Sequence, residues 1–518
     1  MHAAHITFFE SLLLLLLTAI ALMQVSRRTS IPYPSMLAVA GIAAGFVPGT
    51  PKIDLDPQTL LALFIAPALV DAAFDFPLAA IKRLWRPLIA LAVVAVLLTT
   101  AAVGWIGWAM AGLPLAAAIA LGAIVAPPDA AASAATLRSA ALPRRTMEVL
   151  KGESLLNDGT ALLIFGCAVA IQVNQGFSAA IGAQLAIAVP GGMILGIVLA
   201  RVMIRFSRYV RGTLGGRLLE FVGAFSVWII AERLGLSAVL CIVTFAMTIA
   251  RSADVVQTPR VRVHSYAIWE TVVFLLNVIA FLLMGMQARS IIAEMPPDRL
   301  SAALVFAAAV ILAVVVVRLV WVFAYIGAGR KFPALRGDLP SASFGQALLI
   351  GWCGMRGLVT LATAFALPND FPERDLIVLA AFGVVIATVV VQGITIAPLI
   401  RLLGINAHDA QHRELVGARK RLADAALRQL ADEPGAAESG VARMFEIERD
   451  AWSADGQLPE KELRRTLMRK AIDAQRVELG NLQQQYEISE DTFLTLQQEL
   501  DWKQLSLSTA DAQAIEET

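Results

Sequence analysis

At 518 residues the chain could hold several soluble domains, but 58% of it is hydrophobic, 16% is charged and the mean hydropathy is +0.70. No globular core needs so large an apolar share, which excludes a purely soluble chain and leaves a polytopic membrane protein. The net charge of +1 joins two unlike parts: residues 1–403 carry 28 Lys/Arg against 19 Asp/Glu, and residues 404–518 carry 14 against 22.

The first apolar run, 6–25, has no Lys or Arg ahead of it, so it lacks the basic region of a cleaved signal peptide and reads as a retained membrane helix. A span needs roughly 20 apolar residues, and on that measure the chain divides into about thirteen. After 6–25 they fall at 35–48, 58–77, 87–111, 114–138, 147–172, 178–204, 217–233, 235–250, 267–288, 300–327, 341–367 and 375–402. Cys167, Cys241 and Cys353 lie in apolar runs and read as small core residues, not a disulfide framework.

Charge orients the array. Alternate loops hold 20 Lys/Arg, from Arg27 and Arg28 to Arg330, Lys331 and Arg336, whereas the intervening set holds five, Lys52, Arg233, Arg289, Arg299 and Arg374. Basic residues accumulate on the cytoplasmic side, so the reading places the N-terminus outside and the C-terminus in the cytoplasm. Residues 404–518 alternate charged and apolar residues at helical spacing, broken at Pro434 and Gly435. They read as a cytoplasmic, mostly helical domain beside the 1–403 membrane domain, either a solvated tail or a regulatory module.

Two spans are interrupted. The fifth contains Pro127 and Pro128 midway, which remove donors that a helix ladder requires, and the twelfth sets Gly351, Gly354 and Gly357 around Arg356. Irregular backbone at membrane depth is tolerated only inside protein or along a polar cavity. A pair of broken helices is the strongest sequence pointer to a transporter's site.

Ionisable residues deep in the spans are few, and Asp71, Asp129, Glu153, Asp158, Arg318 and Arg356 stand out. Each costs at least a few kcal/mol on insertion scales, so function is the default reading. Arg318, within VVVVRLVWVF, is read instead as snorkelling or paired locally. In the sixth span Ser154 and Asp158 are four apart and share a face. Glu153 lies about 100° away from Ser154 and pairs with Asn157, again at four. Ser154 with Asp158 offers oxygen ligands of the kind a small hard cation prefers.

The stretches GESLLNDGTALLIF (152–165), FIAPALVDAAFDFPLAAIKRLWRP (64–87) and GWCGMRGLVTLATAFALP (351–368) closely resemble bacterial sodium/proton antiporters of the monovalent cation:proton antiporter-1 family, relatives of animal sodium/proton exchangers. IWETVVFLLNVIAFLLMGMQ (268–287) and VVVQGITIAPLIRLLGI (389–405) match as well, so the resemblance covers residues 1–405.

The resemblance implies an all-α fold of inverted repeats, with two discontinuous helices crossing in a six-helix core beside a dimerisation domain, hence a homodimer in lipid. It implies that Asp158 is the essential carboxylate that binds cation or proton, with Ser154 as a ligand beside it. By the same resemblance Asp129 is the acid held by Asn157, the Pro128 carbonyl lies near the ion, Asp71 is an auxiliary acid, and Glu153 pairs with Arg356. One departure stands out: many relatives have Thr-Asp-Pro at the fifth-span break, and this chain has Pro128-Asp129-Ala130, so no threonine hydroxyl can be a ligand there.

A proton and a cation compete for one carboxylate, so a site that alternates between the two sides only when occupied exchanges them. With Asn157 neutral and Glu153 committed to Arg356, one titrating acid implies one proton per cation, an electroneutral exchange with sodium as the expected cation. Potassium/proton antiport on the same fold is the alternative, followed by a sodium-coupled symporter or a cation channel; a channel should show a continuous polar pore or repeated filter, and neither is visible. The sequence offers no cofactor site, nucleotide loop, enzyme motif or nucleic-acid-binding patch; its partners are the ions Na+ and H+ and lipid.

Overall fold

The structure is a computed structural model. It describes residues 57–129, 144–256, 268–282, 295–336, 342–404, 408–431, 440–453, 468–481 and 490–507, apart from some positions within these ranges, and parts of 13–26 and 36–43. The described residues are helical and contain no strand. In lipid each backbone donor and acceptor must be satisfied within its own segment, which is why even Val-rich runs here are helices.

In chain order the helices are α1 (Pro57–Phe74), α2 (Leu78–Ile89), α3 (Ala95–Ala111), α4 (Leu115–Val125), α5 (Arg144–Val173), α6 (Ala179–Ser207), α7 (Leu214–Arg233), α8 (Ala238–Val256), α9 (Pro297–Lys331), α10 (Phe344–Trp352), α11 (Leu358–Phe365), α12 (Arg374–Ala387) and α13 (Gly393–Leu402). Shorter apolar helices stand at Leu16–Ser26 and Thr271–Leu282. The predicted 35–48 span and the start of 6–25 lie largely outside the described residues, as do residues 130–138 of the fifth span.

Among the described residues five helices are long and apolar enough to cross a membrane: Ala80–Ala111, Thr146–Val173, Ile181–Ser207, Arg299–Lys331 and Arg374–Leu402. The apolar window of Ile181–Ser207 is 22% buried and that of Arg374–Leu402 is 67% buried, so α6 lies at the edge of the bundle and α12–α13 inside it. Two of the five contain a π-helical turn, Ala90–Val94 between α2 and α3 and Thr388–Gln392 between α12 and α13. Such turns free carbonyls and are frequent at functional sites. The Ala90 carbonyl is taken by Trp321 Nε1 of α9 at 2.8 Å.

Helix limits follow local chemistry. α9 has Pro297 at its first turn, where a missing N–H is harmless, and Arg330 and Lys331 in its last turn, where they meet the negative end of the helix dipole. α10 starts at Ser343 with a capping box to Gln346 and stops at Trp352, and α11 starts only at Leu358. α4 stops at Val125, just ahead of Pro127 and Pro128. α4 therefore stops, and the α10–α11 segment is interrupted, where the two interruptions are predicted.

The chain separates into two compact units, Met1–Asn406 and Ala407–Glu517. In the second, helices His408–Leu430 and Val441–Ser453 pack together. Ile472, Leu479 and Leu500 form a small separate core, beside which Arg476 bonds Asp501 and Gln504 at 2.5 and 2.6 Å.

Candidate functional site

α5 carries four of the buried polar residues, Thr146 near its start and then Glu153, Asn157 and Asp158, which are 1%, 0% and 5% exposed. It packs against α4, α2 and the first π turn. Two of these groups find partners on neighbouring segments, Glu153 on α9 and Asn157 at the break after α4.

Glu153 meets Arg318 of α9, with Nη1–Oε1 at 2.5 Å and Nη2–Oε2 at 3.0 Å. The same guanidinium donates to the Ile350 carbonyl at 3.1 Å and the Gly351 carbonyl at 3.2 Å, the last turn of α10. A buried ion pair offsets its desolvation only with two-pronged geometry and further hydrogen bonds, and this one has both. The pair expected between Glu153 and Arg356 is thus corrected: the guanidinium on Glu153 belongs to Arg318. The sequence contained the signal, because Arg318 lies 13 residues from the nearer end of α9. That is about 20 Å of helix, too far for its side chain to snorkel out.

Arg356 serves the other break. Its Nε and Nη2 donate to the Val125 and Ala126 carbonyls at 3.1 and 3.2 Å, its Nη1 to the Gly354 carbonyl, and its backbone N–H to Thr388 Oγ1 at 3.0 Å. It therefore closes the negative C-terminal end of α4. Asp129 does the converse: its Oδ2 accepts from Leu358 N at 3.1 Å, which caps the positive end of α11, while its own N–H donates to the Met355 carbonyl at 2.7 Å. Each broken helix thus supplies the charge that caps the other. Two glycines make the approach possible, because a Cβ at Gly357 would overlap the Asp129 carboxylate and one at Gly354 would overlap Arg318.

Asn157 reaches this junction through Pro128, with Nδ2 donating to the Pro128 carbonyl at 2.8 Å. The expected hold on Asp129 is therefore displaced by one residue, since the Asp129 carboxylate is engaged at α11 and the proline carbonyl at the break needs a donor. Asp158, the next residue, feels the Asp129 charge. Among the described residues nothing is hydrogen bonded to its carboxylate. Ser154 is half-buried one turn earlier on α5, and Asp71 is half-buried on α1, which packs against both α5 and α11.

The junction thus contains Glu153, Asp129 and Asp158 against Arg318 and Arg356. Arg318 is paired with Glu153, the Arg356 side chain is engaged by carbonyls and the Asp129 carboxylate by Leu358 N, which leaves Asp158 as the acid without a hydrogen bond among the described residues. Such a residue can take up one proton or one monovalent cation, with Ser154 and nearby carbonyls as neutral oxygen donors.

Comparison with known proteins gives a consistent result. Residues 12–402 match the family described as sodium/hydrogen exchanger, transmembrane. An uncharacterised Na+/H+ exchanger of Mycobacterium tuberculosis is 29% identical over 507 residues, 93% of each chain. A sodium, potassium, lithium and rubidium/H+ antiporter of Bacillus subtilis is 30% identical over 404 residues, 74% of this chain and 60% of that one. The structure of the sodium proton antiporter MjNhaP1 from Methanocaldococcus jannaschii at pH 8 matches with a TM-score of 0.61 at 17% identity, over 75% of this chain and 99% of that chain, a likeness of fold.

Proposed function

The chain belongs to the sodium/hydrogen exchanger family, one of transporters and not enzymes, and from that premise we propose that it exchanges a monovalent cation for protons across a bacterial inner membrane. The observation that carries the reading is Asp158, a buried carboxylate without a hydrogen-bond partner among the described residues, beside two helix breaks whose charges cap each other.

Either a proton or a cation neutralises Asp158, and binding one displaces the other. Carriage in alternate directions by alternating access then couples the two gradients. One uncompensated charge at the junction supports one proton per cation, an electroneutral cycle. Sodium is the proposed cation, with Ser154 and the Asp129 region completing the site and Asp71 as auxiliary acid. The Bacillus subtilis relative carries potassium in its name, which keeps potassium/proton exchange as the second reading.

On this proposal residues 1–403 form the exchanger domain, built of about thirteen spans as inverted repeats and paired as a homodimer, with a periplasmic N-terminus. Residues 404–518 form a cytoplasmic helical domain open to regulatory contact. The test is fluorescence dequenching in proteoliposomes, with sodium, potassium and lithium compared at several pH values. Cation-dependent proton flux in the wild type and none in Asp158→Asn is expected, and unchanged flux in the variant would remove Asp158 from its role.

A further inference from the structure

The Asn157 amide is anchored at one end only. Its Nδ2 donates to the Pro128 carbonyl, and a carbonyl oxygen can only accept, so the orientation of the amide is determined. The opposite atom, Oδ1, is buried without a hydrogen-bond partner among the described residues, in a side chain that is 0% exposed. A buried acceptor left unpaired is disfavoured, and what satisfies it must be a donor or a positive ion.

Neither fixed positive charge fills that role. The Arg318 donors go to Glu153, Ile350 and Gly351, and the Arg356 side-chain donors go to Val125, Ala126 and Gly354. On α5 Asn157 lies about 60° to one side of Ser154 and Asp158 about 40° to the other, so the three positions fall within an arc of about 100°. A hydroxyl, an amide oxygen and a carboxylate on one arc are hard donors suited to a small alkali cation.

We propose that Asn157 is itself a cation ligand, through Oδ1, as well as the anchor of the Pro128 break. The inference rests on the reading of Asp158 as the exchange site. It assigns Asn157 two roles on two atoms: Nδ2 holds the interrupted helix, and Oδ1 adds a neutral oxygen that raises cation affinity without adding a titrating group. Proton binding, which needs only Asp158, is left to the acid.

The two roles separate by substitution. Asn157→Asp and Asn157→Leu both remove the Nδ2 donor, but only Asn157→Asp retains an oxygen at the Oδ1 position. At alkaline pH, in proteoliposomes, Asn157→Leu is expected to raise the apparent KM for sodium about tenfold or more and to flatten the ranking of sodium, potassium and lithium, while Asn157→Asp, which loses only the anchor, is expected to raise it at least about threefold less than Asn157→Leu and to keep the ranking. Equal loss in both variants means the residue acts only as an anchor, equal retention means it does not touch the ion, and either result overturns the proposal.

Asp158→Asn, run in parallel, keeps the two readings distinct. If it still exchanges, the exchange site itself is wrong; if it is silent while the Asn157 variants behave alike, only the ligand role falls. The wild-type chain supplies a measurement that needs no folded variant. With 13C at the asparagine side-chain carbonyl, sodium addition should shift the labelled band in the infrared difference spectrum, and an unmoved band overturns the proposal.

Discussion

Arg318 and Glu153 are 165 residues apart in sequence and meet through both terminal guanidinium nitrogens at 2.5 and 3.0 Å, in side chains 3% and 1% exposed. The contact ties α9 to α5, and the two carbonyls that Arg318 also holds tie both to the end of α10. Its consequence is local: the helix that carries Asp158 cannot shift against the second break without separating a buried charge pair or breaking the carbonyl bonds of Arg318.

Removing one partner should therefore be far worse than removing both. Arg318→Leu leaves Glu153 charged and unpaired and is expected to destabilise the protein by about 3–5 kcal/mol. Arg318→Leu with Glu153→Leu should recover much of that loss, because no buried charge remains. Thermal unfolding in detergent reads both, and a double variant no more stable than the single one would show that the carbonyl contacts, not the ion pair, set the cost.

Gly357 bears on the cross-capping of the two breaks. Any Cβ there would overlap the Asp129 carboxylate, so Gly357→Ala should push Asp129 off Leu358 N. Losing that cap is expected to cost about 1 kcal/mol in stability. Exchange should fall much further, at least about tenfold in turnover, because Asp129 also acts on Asp158. Equal, mild losses in both measurements would argue that Asp129 is only a cap.

What could be read from the sequence was whatever depends on near neighbours. Pro127 and Pro128 end α4 wherever the rest of the chain lies, and the glycines around Arg356 break the α10–α11 segment for the same reason. The partners of these groups depend on how distant helices pack. Whether Glu153 met Arg318 or Arg356 was set by α9, whose Arg318 looked like an isolated charge in a valine run. Asn157 missed its expected partner by one residue because the direction of the Pro128 carbonyl is a property of the folded break. Thr388 gave no signal, since its role depends on a π turn that places its hydroxyl at Arg356 N.

That hydroxyl leads to a smaller prediction. Thr388 Oγ1 donates to the Val384 carbonyl at 2.8 Å and accepts from Arg356 N at 3.0 Å, so it fixes the second break to α12. Thr388→Val keeps the volume and leaves a buried N–H unpaired, with an expected loss of about 1–3 kcal/mol. Thr388→Ser restores the hydroxyl and should recover most of the unfolding temperature. A serine variant as unstable as valine would assign the loss to the methyl group and its packing.

The pH dependence follows from competition at one acid. As pH falls, protons occupy Asp158 and the cation must displace them, so the apparent KM for sodium should rise, approaching about tenfold per pH unit once the proton form dominates. As pH rises, KM should level off at the affinity of the ionised site. Turnover at saturating sodium on the side of uptake should change much less over the same range, because the saturated site is the same species at each pH. The sign distinguishes this mechanism from an essential protonated group elsewhere, which would lower turnover at high pH and leave KM unchanged. Initial rates of cation-dependent proton flux over a grid of sodium concentration and pH provide the check, and a KM independent of pH would separate cation and proton onto different groups.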